Sequence, residues 1–324
     1  MAVEQDWEFP KELQPKPAEV GFDLEAVLAS VVGLRAEAPE DAFTAQVLGT
    51  DRSGNGVVIR DDGLVLTIGY LITEASTIWL TTSAGVAVAG YPLAMDQSTG
   101  FGLVQALGKL GAPALKRGSA KGVGQGDSVI LAGHGGRGHA LSAKILAKRE
   151  FAGYWEYVLD EAIFTAPAHP HWGGAALVDS VGRLIGIGSL LVEEKVGDKE
   201  VQGNMVVPID LLEPILDDLL AYGRQNRPAR PWLGLYATEI KNHVAIAGIA
   251  PGGPAEKAKL EMGDVVLAVA DAPVSTLADM FRRIWRCGDA GTEVPLTVAR
   301  EGGLVQVRVK SADRADFLKK PKLH

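Results

Sequence analysis

Between Thr44 and Val207 no apolar run lasts long before glycine and polar residues interrupt it, and that rhythm limits the fold more than any other feature. Punctuation such as Asp51-Arg52-Ser53-Gly54-Asn55-Gly56, Asp61-Asp62-Gly63 and Gly133-His134-Gly135-Gly136 separates the apolar pieces. Those pieces include Val57-Val58-Ile59, Leu64-Val65-Leu66, Ser128-Val129-Ile130-Leu131 and Arg183-Leu184-Ile185-Gly186-Ile187. Turn residues spaced this closely fit an all-β sandwich or barrel and do not fit βαβ units. The 39 glycines, with only 6% aromatic residues, supply many tight turns. An apolar share of 47% against 22% charged residues excludes collagen-like, coiled-coil and disordered classes. At about 100–200 residues per domain, 324 residues imply two domains, or three small ones.

Residues 1–22, with Pro10, Pro15 and Pro17, read as a loose polar lead-in. Asp23 suits the N-cap of a short amphipathic segment, Leu24-Glu25-Ala26-Val27-Leu28. Pro208 to Arg224 has helical periodicity, with Ile209, Leu212, Ile215, Leu216, Leu219 and Leu220 on one face. Asn226-Arg227-Pro228-Ala229-Arg230-Pro231 reads as a linker. A second unit follows, with strands expected near Val244–Ile249, Val265–Val269, Glu293–Arg300 and Val305–Lys310, and helices near Pro254–Leu260 and Thr276–Cys287. The polar end is expected to fray. The expected organisation is therefore a lead-in 1–22, a domain 23–224, a linker 225–231, a domain 232–312 and a tail 313–324.

Thirty-two Lys and Arg against forty Asp and Glu give a net charge of −8, which provides no field for gathering nucleic acid. Cys287 is the single cysteine, so an intramolecular disulfide and a multi-cysteine metal site are excluded. No apolar run approaches the roughly 18–20 residues of a membrane span. Met1 to Val20 is charged and proline-bearing and lacks a secretory pattern. The expectation is a cytoplasmic protein, or a periplasmic one if a leader was removed. No cofactor is expected.

Three segments, in order, resemble the HtrA-type trypsin-like serine proteases over roughly 150 residues, a domain's worth. The first is Gly54-Asn55-Gly56-Val57-Val58-Ile59, then Asp61-Asp62-Gly63 and Leu64-Val65-Leu66-Thr67-Ile68-Gly69-Tyr70. The second is Asp96-Gln97-Ser98-Thr99-Gly100-Phe101-Gly102-Leu103-Val104. The third is His169-Pro170-His171-Trp172-Gly173-Gly174-Ala175-Ala176-Leu177-Val178. The resemblance implies a double β-barrel, and it puts Tyr70 where that family has its general-base His, Gly100 where it has Asp and Gly173 where it has the nucleophilic Ser. Acyl transfer needs a hydroxyl nucleophile, a base titrating near neutrality and a carboxylate to orient it. A phenol with an ordinary pKa near 10 is a poor acceptor at neutral pH, and glycine offers no functional group. His171 and Trp172 stand in the former oxyanion loop, where Trp172 should fill space beside the old cleft. His169 and His171 could instead be two metal ligands, and a serine could pair with His134, His139, His169, His171 or His243; neither pattern comes with a third partner in sequence.

The second unit resembles a PDZ domain over about 80 residues. The residues carrying it are Trp232-Leu233-Gly234-Leu235, Pro251-Gly252-Gly253-Pro254-Ala255 and Leu260-Glu261-Met262-Gly263-Asp264-Val265-Val266. Lys259 stands where the pattern has glycine. The resemblance implies capture of free protein C-termini or unfolded peptides: backbone amides of Trp232-Leu233-Gly234-Leu235 would take the carboxylate, and a peptide would add to a sheet edge. Leu277, Met280, Phe281 and Ile284, spaced i, i+3, i+4, i+7, would line its pocket, serve the domain core, or do both. Trp285 and Cys287 read as packing residues. The expected whole is a mostly β chain, a double barrel followed by a small α+β PDZ barrel. It would act as an inactive peptide-binding scaffold, chaperone or regulator, with an active endopeptidase as the alternative. A homo-oligomer, a trimer by resemblance, is also expected, with the N-terminal segment and Asp23–Glu37 as its candidate contacts.

Overall fold

A computed structural model describes residues 7–196 and 199–320. The chain forms two compact units. One holds the chain up to Arg149, Glu161–Gln225 and the stretch from Lys319; the other holds Glu150–Asp160 and Asn226–Leu318.

The first unit contains two closed antiparallel barrels. Strands β1 (Val31–Glu37), β2 (Asp51–Val58), β3 (Leu64–Ile68), β4 (Thr77–Thr81), β5 (Ala87–Met95) and β6 (Phe101–Ala106) close in the order β1-β2-β3-β6-β5-β4. Strands β7 (Ser128–Ala132), β8 (Ala140–Gly153), β9 (Tyr157–Ala166), β10 (Ala176–Val178), β11 (Leu184–Val196) and β12 (Lys199–Pro208) close in the order β10-β11-β12-β9-β8-β7. Closure pairs both edges of each sheet, which removes the unpaired amides an open edge would expose. Val31, Val57, Leu64, Leu66, Leu80 and Leu103 are wholly buried in this unit, as are Leu131, Leu141, Ile163, Leu177 and Ile185.

Several sequence expectations change here. The lead-in is not loose from Trp7 onward: Phe9 is buried, its N–H donates to the Gly138 carbonyl, and Gln14 Nε2 donates to the Phe9 carbonyl at 2.7 Å. Trp7 and Phe9 supply apolar surface that the prolines around them concealed, and burying a Phe contributes about 1.5–3 kcal/mol. Asp23 does cap a helix, α1 (Leu24–Ala29), accepting from the Ala26 N–H at 3.1 Å. The helix stops at Ala29, however, and Val31–Glu37 is the first barrel strand. Ala45–Leu48 is a single turn, α2. The periodic stretch after Pro208 is broken into a 3-10 turn, Ile209–Leu211, and α3 (Leu216–Tyr222), because Pro214 between them lacks the N–H that a continuous helix needs.

The second unit is a six-stranded antiparallel sheet. Strands β13 (Leu235–Ile240), β14 (His243–Ile249), β15 (Val265–Val269), β17 (Glu293–Arg300) and β18 (Gly303–Lys310) lie in that order, and β16 (Ala272–Pro273) pairs with β15. β13 and β18 are its edges, pinned at one end by a bridge between Trp232 and Ala312. Helix α5 (Leu277–Arg286) starts at Thr276, whose hydroxyl accepts from the Asp279 N–H at 3.1 Å. The shorter α4 (Pro254–Lys257) ends sooner than its apolar pattern suggested, since Lys259 sits at φ +61° in the left-handed region. A lysine there bears strain that glycine avoids. Residues 313–320 do not fray. Arg314–Phe317 forms a 3-10 turn whose Phe317 ring lies 4.8 Å from that of Trp232, and the Lys319 N–H donates to Glu74. The Asn226–Pro231 stretch is also held: the Ala229 carbonyl accepts from Ala290, and the Arg230 guanidinium lies 4.4 Å from the Trp285 ring. Residues 321–324 lie outside the described residues.

Candidate functional site

In the first unit, the three positions that the resemblance singles out are occupied in a mutually dependent way. Tyr70 lies in a 3-10 turn, Gly69–Leu71, directly after β3. Its hydroxyl donates to the Ser189 carbonyl at 3.0 Å. Burial raises this phenol well above its ordinary pKa of 10, opposed by a hydrogen bond from the Trp172 side chain. The hydroxyl therefore stays protonated at neutral pH and accepts no proton from a nucleophile.

A Cβ built on Gly173 would stand 2.7 Å from that same hydroxyl, closer than side-chain carbons pack. The backbone around Gly173 is locked as well. Its carbonyl accepts from the Asn55 N–H at 2.7 Å and from Asn55 Nδ2 at 3.1 Å, and Nδ2 also donates to the His171 carbonyl. At Gly174, φ is +77° and an added Cβ would fall 1.8 Å from the Asn55 carbonyl oxygen, so only glycine fits. Gly100 has φ +81°, with its N–H donating to Asp96 and its carbonyl accepting from Gly69.

His169 is placed where it cannot serve as a base. His169 is fully buried; its Nε2 donates to the His139 carbonyl at 2.9 Å and its Nδ1 accepts from the His171 N–H at 3.1 Å. Both ring nitrogens are used, which fixes the neutral tautomer. Burial lowers its pKa to about 4, against the His139 hydrogen bond and with the nearby His171 and His139 rings adding to the decrease. The His171 ring stacks on Trp7 at 4.9 Å. Among the described residues no three His, Cys, Asp or Glu side chains gather as metal ligands.

The second unit is different. The loop before β13 aims consecutive amides at one carboxylate, and it is the chain's own. The Leu233 N–H reaches both oxygens of Glu156 at 3.1 Å, the Gly234 N–H reaches Oε1 at 2.8 Å and the Leu235 N–H reaches Oε1 at 3.2 Å. Gly234 adopts φ +74°, which turns successive N–H groups inward as an anion-binding nest. Trp232 is the exception in this loop, because its N–H donates to the Ala312 carbonyl. Glu156 closes the three-residue turn Tyr154-Trp155-Glu156 between β8 and β9, and it is only 4% exposed. Burial pushes its carboxyl up to about 7, while the three amides and the charge of Arg314 pull it back down. Two residues earlier, the Tyr154 carbonyl accepts from the Ala237 N–H on edge strand β13 at 3.0 Å.

Leu277, Met280, Phe281 and Ile284 are buried on α5 in one cluster with Leu235 and Val158, and Ala152 packs against it. Arg282, from the same helix, pairs with Glu150 and Asp160 on the two strands flanking the turn. Sequence reasoning missed Glu156 and Asn55. Asn55 stands where the family resemblance has Ser or Thr, a departure visible in the sequence. Nothing along the chain links Glu156 to a loop 77 residues away.

Two families match this sequence: a trypsin-like peptidase domain over residues 54–187 and a PDZ domain over residues 231–311. Serine protease Do-like HtrA of Bacillus subtilis is 21% identical over 93% of this chain and 74% of its own. A probable periplasmic serine endoprotease DegP-like of Pseudomonas fluorescens is 25% identical over 77% of this chain. The chain spans only 54% of that second relative's length. Among solved structures, the HtrA-type protease AlgW with a decapeptide superposes with a TM-score of 0.53 at 20% identity, covering 92% of this chain and 99% of that one. At that identity the likeness speaks for the fold alone.

Proposed function

The chain is an HtrA homologue, a trypsin-like peptidase domain followed by a PDZ domain, and from that premise we propose that it binds peptides without cutting them. One observation carries the reading: the place a nucleophilic side chain would take at Gly173 is filled by the Tyr70 hydroxyl, which donates to a carbonyl and cannot act as a base. With glycine at position 100 as well, the unit lacks nucleophile, base and orienting carboxylate together at these positions, where losing one typically costs several orders of magnitude in rate. The PDZ unit supplies the activity that remains. An extended peptide adds to β13, and the amides of Leu233, Gly234 and Leu235 take its terminal carboxylate. The clients are protein C-termini or unfolded peptides, and the role is that of a scaffold, chaperone or regulator.

The test is to incubate the purified chain with unfolded casein and with a fluorophosphonate that labels activated serines. No cleavage and no labelling are expected; either would overturn the non-cutting reading in favour of an active endopeptidase. A pull-down of peptides with free C-termini by the full chain tests the binding half. Homo-oligomerisation, as a trimer, belongs to the same reading and is checked by light scattering. Among the described residues no helix is long and apolar enough to cross a membrane. The reading fits the cytoplasm, and it also fits the periplasm, the compartment printed in the name of the DegP-like relative; cell fractionation separates the two.

A further inference from the structure

We infer that the Tyr154-Trp155-Glu156 turn is a built-in surrogate ligand: it occupies the peptide slot of the second unit in cis, so that a C-terminal peptide binds only by displacing it. The inference rests on the peptide-capture reading above and specifies how that site is regulated.

The geometry is that of a bound peptide, position by position. A strand added to a sheet edge presents every second residue to its neighbour. Here the carboxylate sits on the amides of Leu233, Gly234 and Leu235, and the carbonyl two residues earlier, on Tyr154, takes the N–H of Ala237, two residues past Leu235. A peptide whose terminal carboxylate lay in the nest would present its antepenultimate carbonyl to the same amide. Glu156 substitutes a side-chain carboxylate for a terminal one. Its backbone records the accommodation, with φ +62° at a long side chain in a region such residues avoid. Val158 and Ala152, beside the turn, contribute to the apolar cluster of Leu277, Met280, Phe281 and Ile284, where a ligand's terminal side chain would go.

Beyond the buried Glu156 carboxylate, the strands flanking the turn are held by contacts suited to release. Arg282 clamps Glu150 and Asp160, but these carboxylates are well exposed, and exposed ion pairs are weak and screened by salt. Tyr154 is itself half exposed and meets the Tyr236 ring at 5.9 Å. A tethered occupant competes at an effective concentration that reaches the millimolar range, so a ligand in trans loses at least about tenfold in apparent affinity.

The experiment uses the full chain, as wild type, Glu156→Ala and Glu156→Gln. The glutamine variant retains the side chain's length, and a cooperative melt for each variant establishes that it folds. The probe is a synthetic pool of hexapeptides randomised at the last four positions, with free C-termini, and an amidated twin pool. The expected result is at least about tenfold tighter retention of the free-carboxylate pool by Glu156→Ala, with the amidated pool retained by neither. Hydrogen exchange at the Leu233, Gly234 and Leu235 amides, without peptide, should be slow in wild type and faster in both variants. Equal retention by wild type and variant, or unchanged exchange, overturns the surrogate ligand while leaving peptide capture standing. No retention by any form overturns peptide capture, and the surrogate ligand falls with it.

Discussion

The two units have each closed a binding site, and they have done it in opposite ways. Around Tyr70 and Gly173, the space is filled by fixed neighbours of the same unit. Tyr70 reaches into the position beside Gly173, Asn55 binds the Gly173 carbonyl from two of its own nitrogens, and His169 is sealed with both ring nitrogens satisfied. Nothing there can leave without a mutation. In the nest before β13, the donors are intact and converge on a carboxylate that a turn of the same chain has delivered. That occupant can be exchanged for another carboxylate. A site closed by its own fixed side chains is a packing problem, whereas a site that keeps its donors remains a binding site even when filled.

The comparison breaks most readily at Gly174. Gly174→Ala places a Cβ 1.8 Å from the Asn55 carbonyl at a left-handed φ, and should cost about 4 kcal/mol from combined overpacking and backbone strain. Chemical denaturation measures this, and a loss under about 1 kcal/mol would mean the loop yields easily and is not sealed. The next effect is one of pH. The folded state keeps His169 neutral down to about 4, whereas the unfolded ring takes a proton near 6.5. The unfolded state therefore binds more protons in that window: stability is full above 6.5 and falls by about 3 kcal/mol as pH drops to 4. His169→Gln should remove that part of the acid slope, read from denaturation midpoints across the range; an unaltered slope would show that the ring titrates freely. Third, Gly173→Ser alone should remain unlabelled by fluorophosphonate and lose about 1–3 kcal/mol through its clash with the Tyr70 hydroxyl. Labelling of this single variant would show that a base is available after all. The smallest effect sharpens the contrast from the PDZ side. Thr276→Ala removes the cap of α5 and should cost about 1 kcal/mol of stability without changing the triad region.

Much of this architecture was legible because turn chemistry is local. Glycine punctuation announced the barrels, and α5 begins at the capping threonine and ends at the cysteine that the apolar spacing indicated. β1 escaped notice because its outward residues, Arg35 and Glu37, follow directly on a helix and blur the change of period. The packed lead-in and tail escaped for a different reason. A few aromatic residues in polar surroundings, Trp7, Phe9 and Phe317, decide their fate, and the surfaces they meet are distant in sequence. The family resemblance drew attention to Tyr70, Gly100 and Gly173, but the contact of Tyr70 with the Gly173 position could be seen only in space. Glu156 was invisible: a carboxylate at a hairpin tip is unremarkable until the nest that binds it is seen in space.

The interrupted make-up of the second unit also constrains how the molecule is born. Its hairpin tip leaves the ribosome well before the sheet it joins, since Tyr154 must wait for Ala237. At about 5–20 residues per second, that gap leaves Tyr154, Glu156 and Val158 without their partners in the later-made sheet and loop for several seconds of synthesis. Translation speed between these two segments, and any holdase present at the tunnel exit, therefore bears on how much of the newly made chain reaches the native state and how much aggregates.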